Sequence, residues 1–431
     1  MQSRHHQIEI FGIVAIFTLL QLLILLIFGY TPYTDSTGYI ILAEDSIKHG
    51  EPYPIASKIQ ELAFIWNIGS INTVALSLKL FHSITPLLIV YSLMKGISSW
   101  LVYTITKEIF NSIIAWITLI IYILYPANYG EGTSVLSETP FMFFILSGIY
   151  LSLRNKPLLG GMMLAIGNWY RPMGIVFLCS LIIYFIFTFI KYRPLRKHST
   201  YHIIHIIAGY VFVILLIGGM CYHRTGHFIY QAKTGWMSLM QYSWDHDYHH
   251  EKTTHLFVNG NPNELESQHY NSVQKDSVWR SHFMIWLRKN PQEYLAQIPK
   301  KLIDTYISDN VNFCVYLKDK NTSDYMYDSV SMRTLIHTFP KYSWVQILVI
   351  INLFFYYFIL LLAIINVVVL IKMGKWDDII LPISIIILGT MLLLFFGHGE
   401  ARFHIPFMPF FIMLCSSFIS HFIRYEKKEM D

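Results

Sequence analysis

IEIFGIVAIFTLLQLLILLIF, residues 8–28, is the stretch that decides the fold class of this chain. A membrane-spanning helix requires about 20 predominantly apolar residues, and this run has that length and character. Arg4 precedes the run, as in a signal peptide, but no small-residue cleavage pattern follows it. We therefore predict a first transmembrane helix that the protein retains.

The composition of the whole chain agrees with this prediction. Of 431 residues, 54% are hydrophobic and 14% are charged, and the mean hydropathy is +0.44. This balance is typical of an integral membrane protein rather than a soluble domain with a large core. The net charge of +5 is small and the basic residues lie at the ends of apolar runs, which argues against nucleic acid as a partner.

Apolar segments recur along the chain, and their number determines the predicted topology. They cover residues 8–28, 62–81, 86–106, 109–125, 134–153, 157–170, 172–190, 201–220, 344–371, 378–397 and 404–423. If all of them crossed the membrane, the basic turn at 191–198 would lie outside, although short cytoplasmic turns are normally the Lys- and Arg-rich ones. The segment 62–81 has polar residues on one helical face, as expected for a helix lying in the membrane interface: Asn67, Ser70, Thr73 and Ser77. We therefore predict an all-α membrane protein with about ten spans.

This topology gives the protein a predicted orientation and three regions. The protein would lie in the inner (plasma) membrane, with both termini and the basic turns on the cytoplasmic side. Residues 1–220 would form a catalytic module with spans one to seven and a first outer loop at 30–85. Residues 221–343 would form a large outer loop, and 344–431 a C-terminal module with spans eight to ten.

The large outer loop contains two predicted helices. Trp279, Phe283 and Trp286 recur at helical spacing, which favours an interfacial helix with aromatic anchors. A second short helix around 292–306 follows Pro291.

Four charged residues fall at the predicted outer ends of spans. Asp35 lies just beyond the first span, where a carboxylate is a functional candidate; the alternative is a cap on a helix beginning at Ser36. Glu138 either serves the site or caps the helix that starts beside it. Arg171 and Arg402 lie in short outer turns, where basic residues are normally scarce, so we expect them to bind an anion. The alternative is that they reach toward lipid headgroups.

Metal and disulfide signals are weak. The run at 245–250, DHDYHH, has metal-capable residue types without a regular ligand spacing, so we predict no metal and no cofactor; the alternative is a divalent ion. The four cysteines share no redox or metal spacing, and a pairing of Cys221 with Cys314 stays open.

Five short motifs, in this order, resemble a known family. They are Asp35 with Tyr39-x-x-x-Ala43, then Tyr125-Pro126, LSETP at 136–140, WYRP at 169–172 and EARFHIP at 400–406. Together they resemble the GT-C membrane glycosyltransferases, in particular the polyprenyl-phosphate-sugar-dependent group that includes protein O-mannosyltransferases and lipid A aminoarabinose transferases. The resemblance extends over most of 1–425. Each motif is short, and Glu138 stands where several relatives have Asp.

The resemblance implies an inverting glycosyltransferase that moves a sugar from a polyprenyl-phosphate carrier to a hydroxyl of an extracytoplasmic glycan, lipid or protein. A lipid phosphate leaves without a general acid, so the reaction needs a base for the acceptor and cations for the phosphate. Asp35 would be the base, Glu138 would orient it or the acceptor, and Arg171 and Arg402 would bind the phosphate. Attack from the opposite face predicts inversion.

Three further motif residues are candidates for contact with substrate: Tyr39, Glu400 and His404.

Two other classes remain. An O-antigen-ligase-like enzyme or polysaccharide polymerase would also have many spans and a large outer loop, but would not require an acid after the first span. A transporter would be expected to carry mid-membrane charges and repeated halves, and Lys95 is the only obvious mid-span charge.

Overall fold

The computed structural model describes residues 2–62, 64–245, 270–310, 344–397 and 399–430. Within these ranges the protein is helical and contains no β-strand, apart from an isolated bridge between Ile65 and Lys233. The predicted all-α class is therefore confirmed. Several of the helices are long and apolar enough to be membrane spans, as an all-α membrane protein requires.

Sixteen α-helices are present in the described ranges, and we number them in chain order. They are α1 Gln2–Phe28, α2 Thr34–His49, α3 Ile68–Phe81, α4 Thr85–Ile109, α5 Ser112–Leu124, α6 Glu138–Leu153, α7 Pro157–Tyr170, α8 Gly174–Lys191, α9 Arg196–Thr225, α10 Gly235–Asp245, α11 Ser272–Lys289, α12 Pro291–Ala296, α13 Ile298–Tyr306, α14 Trp344–Lys372, α15 Trp376–Phe396 and α16 Met408–Met430.

Seven helical segments in the described ranges are long and apolar enough to cross a membrane, rather than the ten predicted. Five of them lie in α1, α4, α8, α14 and α15, one is α9 together with the three residues before it, and the seventh is Ala401–His421. The other predicted spans correspond to α5, α6 and α7, which have only 13, 16 and 14 residues. An eighth span results if α5 is counted with Pro126–Thr133, to which it is bent by 76°. The count of ten is not confirmed.

The predicted interfacial segment 62–81 forms a shorter helix, α3, that begins only at Ile68. Its polar stripe faces the protein, with Ser70 and Ser77 buried, whereas Leu76, Leu80 and Phe81 are exposed. This distribution of polar and apolar side chains suits a helix that rests its outer face on lipid.

Helices α7 and α9 approach each other closely through glycines. A Cβ on Gly161 would collide with the carbonyl oxygen of Ile206, and one on Gly209 would collide with that of Leu158. Small residues of this kind allow two membrane helices to pack backbone against backbone. The close packing holds the first turns of α7, the helix that ends just before Arg171, directly against α9.

The aromatic residues of α11 do not act as lipid anchors. Trp279, Phe283 and Trp286 are buried and pack with Leu239 and Met240 of α10 and with Tyr294 of α12. The prediction of aromatic anchors is therefore wrong, because the three side chains form the core of a small helical subdomain. The single helix predicted at 292–306 is divided into α12 and α13 beside Pro299, which has no amide hydrogen for a continuing helix.

The segment Pro126–Thr133, which lies between the predicted spans 109–125 and 134–153, folds back against the bundle. The Nζ of Lys95 in α4 contacts Glu131 Oε1 and donates to Asn128 Oδ1 at 3.0 Å. Gln21 of α1 donates to the Asn128 carbonyl at 2.7 Å, so the same segment is also bound to the first helix. Glu131 is consequently buried, and the mid-span charge of Lys95 has a carboxylate partner.

We expect Lys95→Met to lower the stability of the folded protein by about 3–5 kcal/mol, because it removes the ammonium group that compensates a buried carboxylate. The melting temperature and the yield of monodisperse protein in mild detergent measure this loss.

Two variants control for this effect. Lys107→Met removes the same charge at an exposed position of α4 and should leave both values unchanged. Lys95→Met/Glu131→Gln removes both charges of the buried pair and should recover most of the stability. Parental stability in the single variant would show that the pair is dispensable.

Candidate functional site

Asp35 lies in the first turn of α2 but does not cap it. The helix begins at Thr34, and the amide of Tyr33 donates to Ser36 Oγ at 2.8 Å. The alternative that Asp35 caps a helix beginning at Ser36 is therefore wrong. Its carboxylate instead accepts a hydrogen bond from Arg402 Nη1 at 2.5 Å.

Arg402 lies in the 3₁₀ segment Ala401–Phe407, which follows α15. Its Nε lies 2.5 Å from Glu400 Oε1, and its guanidinium stands 5.5 Å from the Tyr33 ring centroid and 5.7 Å from that of Phe403. Only 13% of the side chain is exposed. The guanidinium is therefore directed into the protein and not toward lipid headgroups.

Arg171, at the end of α7, has a similar environment. Its Nη1 contacts Oε1 of Glu138, the first residue of α6, and its guanidinium lies 5.1 Å from the Phe403 ring centroid. Ser137 provides no side-chain cap for α6, but its hydroxyl donates to Glu138 Oε2 at 3.3 Å. The two arginines thus lie against one aromatic ring, each contacting a carboxylate from a different part of the chain.

A cavity of about 420 Å³ joins three of the four charged residues predicted for the site: Asp35, Arg171 and Arg402 line its wall, whereas Glu138 contacts Arg171 without lining it. A volume of this size is typical of small-molecule sites. The remaining wall is partly polar and partly apolar: Phe64, Trp66, Asn67, Ser137, Pro172, Met173, Gln231, Ala232, Thr234, Gly235, Met237, Ser238, Leu392, Leu393, Phe396, Gly397 and Phe403. Leu392, Leu393 and Phe396 belong to α15, so the cavity borders the end of a candidate membrane span.

Tyr39 lies behind the cavity wall. Its side chain is buried, and its hydroxyl accepts a 2.6 Å hydrogen bond from Asn67 Nδ2, whose residue does line the cavity. Burial, and to a smaller extent the carboxylates of Asp35 and Glu138, raises the pKa of the Tyr39 hydroxyl well above its ordinary value. The hydroxyl therefore stays protonated and positions Asn67.

Glu400 and His404 are also absent from the wall of this cavity. Glu400 contacts the Nε of Arg402 without lining the wall. His404 is fully buried; its Nδ1 donates to the Thr305 carbonyl of α13 at 2.7 Å, and its Nε2 lies 3.8 Å from Asp309 Oδ1. The structure therefore does not bring the candidate substrate residues Tyr39, Glu400 and His404 to the cavity, and gives them supporting positions instead.

Several residues of the cavity wall were not predicted from the sequence. Gln231, Thr234 and Ser238 come from the start of the large insert, where no periodic or motif signal singles them out. Gln231 is held in place by Asn168 of α7, whose Nδ2 donates to Gln231 Oε1 at 2.6 Å. This partner, three residues before Arg171, is recognisable only in the folded chain.

The described residues contain no group of three or more His, Cys, Asp or Glu side chains that could hold a metal ion. Most of the histidine-rich run at 245–250, together with His398 and Cys314, lies outside the described residues. The pairing of Cys221 with Cys314 therefore stays open.

Comparison of the chain with protein-family models, with curated proteins and with solved structures finds no match. The fold and the site define a multi-pass helical membrane protein with three carboxylate–guanidinium contacts beside one cavity.

Proposed function

We propose that this protein is an inverting glycosyltransferase that moves a sugar from a polyprenyl-phosphate carrier to a hydroxyl group. The observation that carries the proposal is the convergence of Asp35, Arg171 and Arg402 on one cavity that borders a candidate membrane span. Transfer from an amphiphilic donor requires an apolar border for the lipid, cations for the phosphate and a base for the acceptor hydroxyl.

The two arginines suit a lipid phosphate. Guanidinium groups stay charged in a poorly hydrated site and bind phosphate oxygens in a bidentate manner. Negative charge grows on the leaving phosphate as the glycosidic bond breaks, and fixed cations stabilise that charge most in the transition state. Leu392, Leu393 and Phe396 offer the adjoining apolar surface for the first isoprene units.

Asp35 supplies the base. It takes the proton of the acceptor hydroxyl, the acceptor oxygen forms a bond to the anomeric carbon, and polyprenyl phosphate departs with the electrons of the broken bond. A single displacement from the face opposite the phosphate inverts the anomeric configuration. Asn67, Gln231 and Ser238 provide polar groups on the wall for sugar or acceptor hydroxyls.

The proposed orientation places the cavity outside the cytoplasm and both termini inside. This orientation is supported by the basic turns at the helix ends opposite the cavity, because short cytoplasmic turns are normally rich in Lys and Arg. At those ends Arg154 pairs with Glu108 at 2.9 Å, and Lys191 contacts Asp377. The acceptor is accordingly an envelope glycan, lipid or protein, and the enzyme resides in the inner (plasma) membrane.

Donor consumption tests this proposal. The purified protein in lipid nanodiscs is incubated with a panel of synthetic polyprenyl-phosphate sugars and with envelope extract from a strain lacking the protein. We expect release of polyprenyl phosphate from one donor class, and NMR of the product should show the inverted anomer. A panel in which no donor is consumed, together with unchanged lipids and glycans in the deletion strain, would contradict the proposal.

A further inference from the structure

Both arginines that the proposed function assigns to the donor phosphate already contact carboxylates. Arg402 contacts Asp35 through Nη1 and Glu400 through Nε, each at 2.5 Å, and Arg171 contacts Glu138. The five groups carry three formal negative charges and two positive ones. Without a ligand, the cluster therefore has a net negative charge, which disfavours a further anion.

We propose that the donor phosphate displaces Asp35 from Arg402 and thereby releases the base that the reaction needs. This inference rests on the proposed function. Asp35 contacts Nη1 of Arg402 and Glu400 contacts Nε, so a phosphate that binds the two terminal nitrogens of Arg402 from the cavity competes with Asp35 for Nη1. An empty site thus keeps Asp35 engaged, and a loaded site frees it beside the acceptor.

Two observations identify Asp35, and not Glu138, as the exchangeable partner. Asp35 and Arg402 both line the cavity, whereas Glu138 stands behind Arg171. The Asp35 side chain is also more exposed, at 19% against 6% for that of Glu138. Because Phe403 packs against both guanidiniums, the arginines keep their places while the carboxylate moves into the cavity.

A released Asp35 is also available to the acceptor. While Asp35 Oδ2 accepts a hydrogen bond from Arg402, the carboxylate is held against the guanidinium. Donor binding therefore frees it to turn toward the acceptor hydroxyl. The same competition lowers the affinity of the resting site for lipid phosphate.

Binding of polyprenyl phosphate without a sugar tests the competition directly and requires no knowledge of sugar or acceptor. Full-length protein in nanodiscs of neutral lipid is titrated with short-chain polyprenyl phosphate, and with the corresponding neutral polyprenol to correct for partition into lipid. We expect Asp35→Asn to bind the phosphate about tenfold more tightly than the parent, since a charged hydrogen bond no longer has to be displaced.

Asp45→Asn is the matched control. Asp45 lies on the same helix and pairs with Lys58 at 3.1 Å, so its substitution removes the same charge outside the cavity. Its affinity for the lipid phosphate should equal that of the parent. Asp35→Ser serves as a second variant, because serine has no amide group to keep a contact with Arg402, and it should bind more tightly as well.

The outcomes separate the two proposals. Parental binding of the lipid phosphate, with equal or weaker binding by both folded Asp35 variants, would overturn the competition and leave the proposed function standing. No phosphate-dependent binding by the parent or by any variant would overturn the proposed function, and the competition with it.

Discussion

Asp35→Asn should lower the rate of sugar transfer by about 10²–10⁴-fold, the contribution of a positioned proton acceptor, while the protein accumulates at the parental level. Asparagine preserves the shape of the side chain and removes its charge and basicity. The start of α2 should tolerate the change because Ser36 accepts the Tyr33 amide, and Arg402 keeps Glu400 as a partner. Loss of a first-turn carboxylate costs the helix only about 0.3–1 kcal/mol.

Turnover with a saturating donor, normalised to the folded protein, measures this effect. Asp35→Glu should be intermediate, because the base survives one methylene farther along, and Asp45→Asn should match the parent. Full activity of Asp35→Asn at normal yield would remove Asp35 from the chemistry. It would favour the ligase or polymerase class, which does not require an acid after the first span.

Arg402→Lys should lower turnover by about 10²-fold or more, the loss expected when one preorganised donor to a developing negative charge is removed. Lysine retains the positive charge that Asp35 and Glu400 need. It lacks the planar fork that contacts both carboxylates and lies beside the rings of Tyr33 and Phe403. Affinity for polyprenyl phosphate should fall together with turnover.

Arg154→Lys is the matched control for Arg402→Lys. Arg154 pairs with Glu108 far from the cavity, and the same substitution there should leave activity and yield unchanged. Arg171→Lys should resemble Arg402→Lys. If both cavity variants turned over at close to the parental rate, neither arginine would bind the phosphate.

The two site variants together give a distinctive pattern. Asp35→Asn should combine slow transfer with tighter binding of lipid phosphate, whereas Arg402→Lys should weaken both. A purely structural role for the Asp35–Arg402 contact predicts the same direction of change in both variants. Measuring affinity and turnover on the same preparations therefore distinguishes these accounts.

Hydropathy and charge alone were sufficient to predict the class of the protein and where most of its long helices lie in the chain. Long apolar runs predicted the helices that contain the seven candidate spans, because the bilayer thickness sets a length that can be counted along the chain. The unusual charges at predicted outer ends also singled out residues that lie close together in the structure, since a charge near lipid is costly unless it has a partner. Asp35, Glu138, Arg171 and Arg402 do come together in the structure.

Only the tertiary structure decided which groups face each other and which face the cavity. Asp35 and Arg402 are 367 positions apart. Tyr39 and His404, which do not line the cavity, likewise have hydrogen-bond partners in other segments of the chain. The aromatics of α11 likewise proved to be core residues, because α10 and α12 cover them. Periodicity and hydropathy average over a few neighbouring residues, so they indicate which side of a helix is polar or apolar, but the partner of that side is determined by how the whole bundle packs.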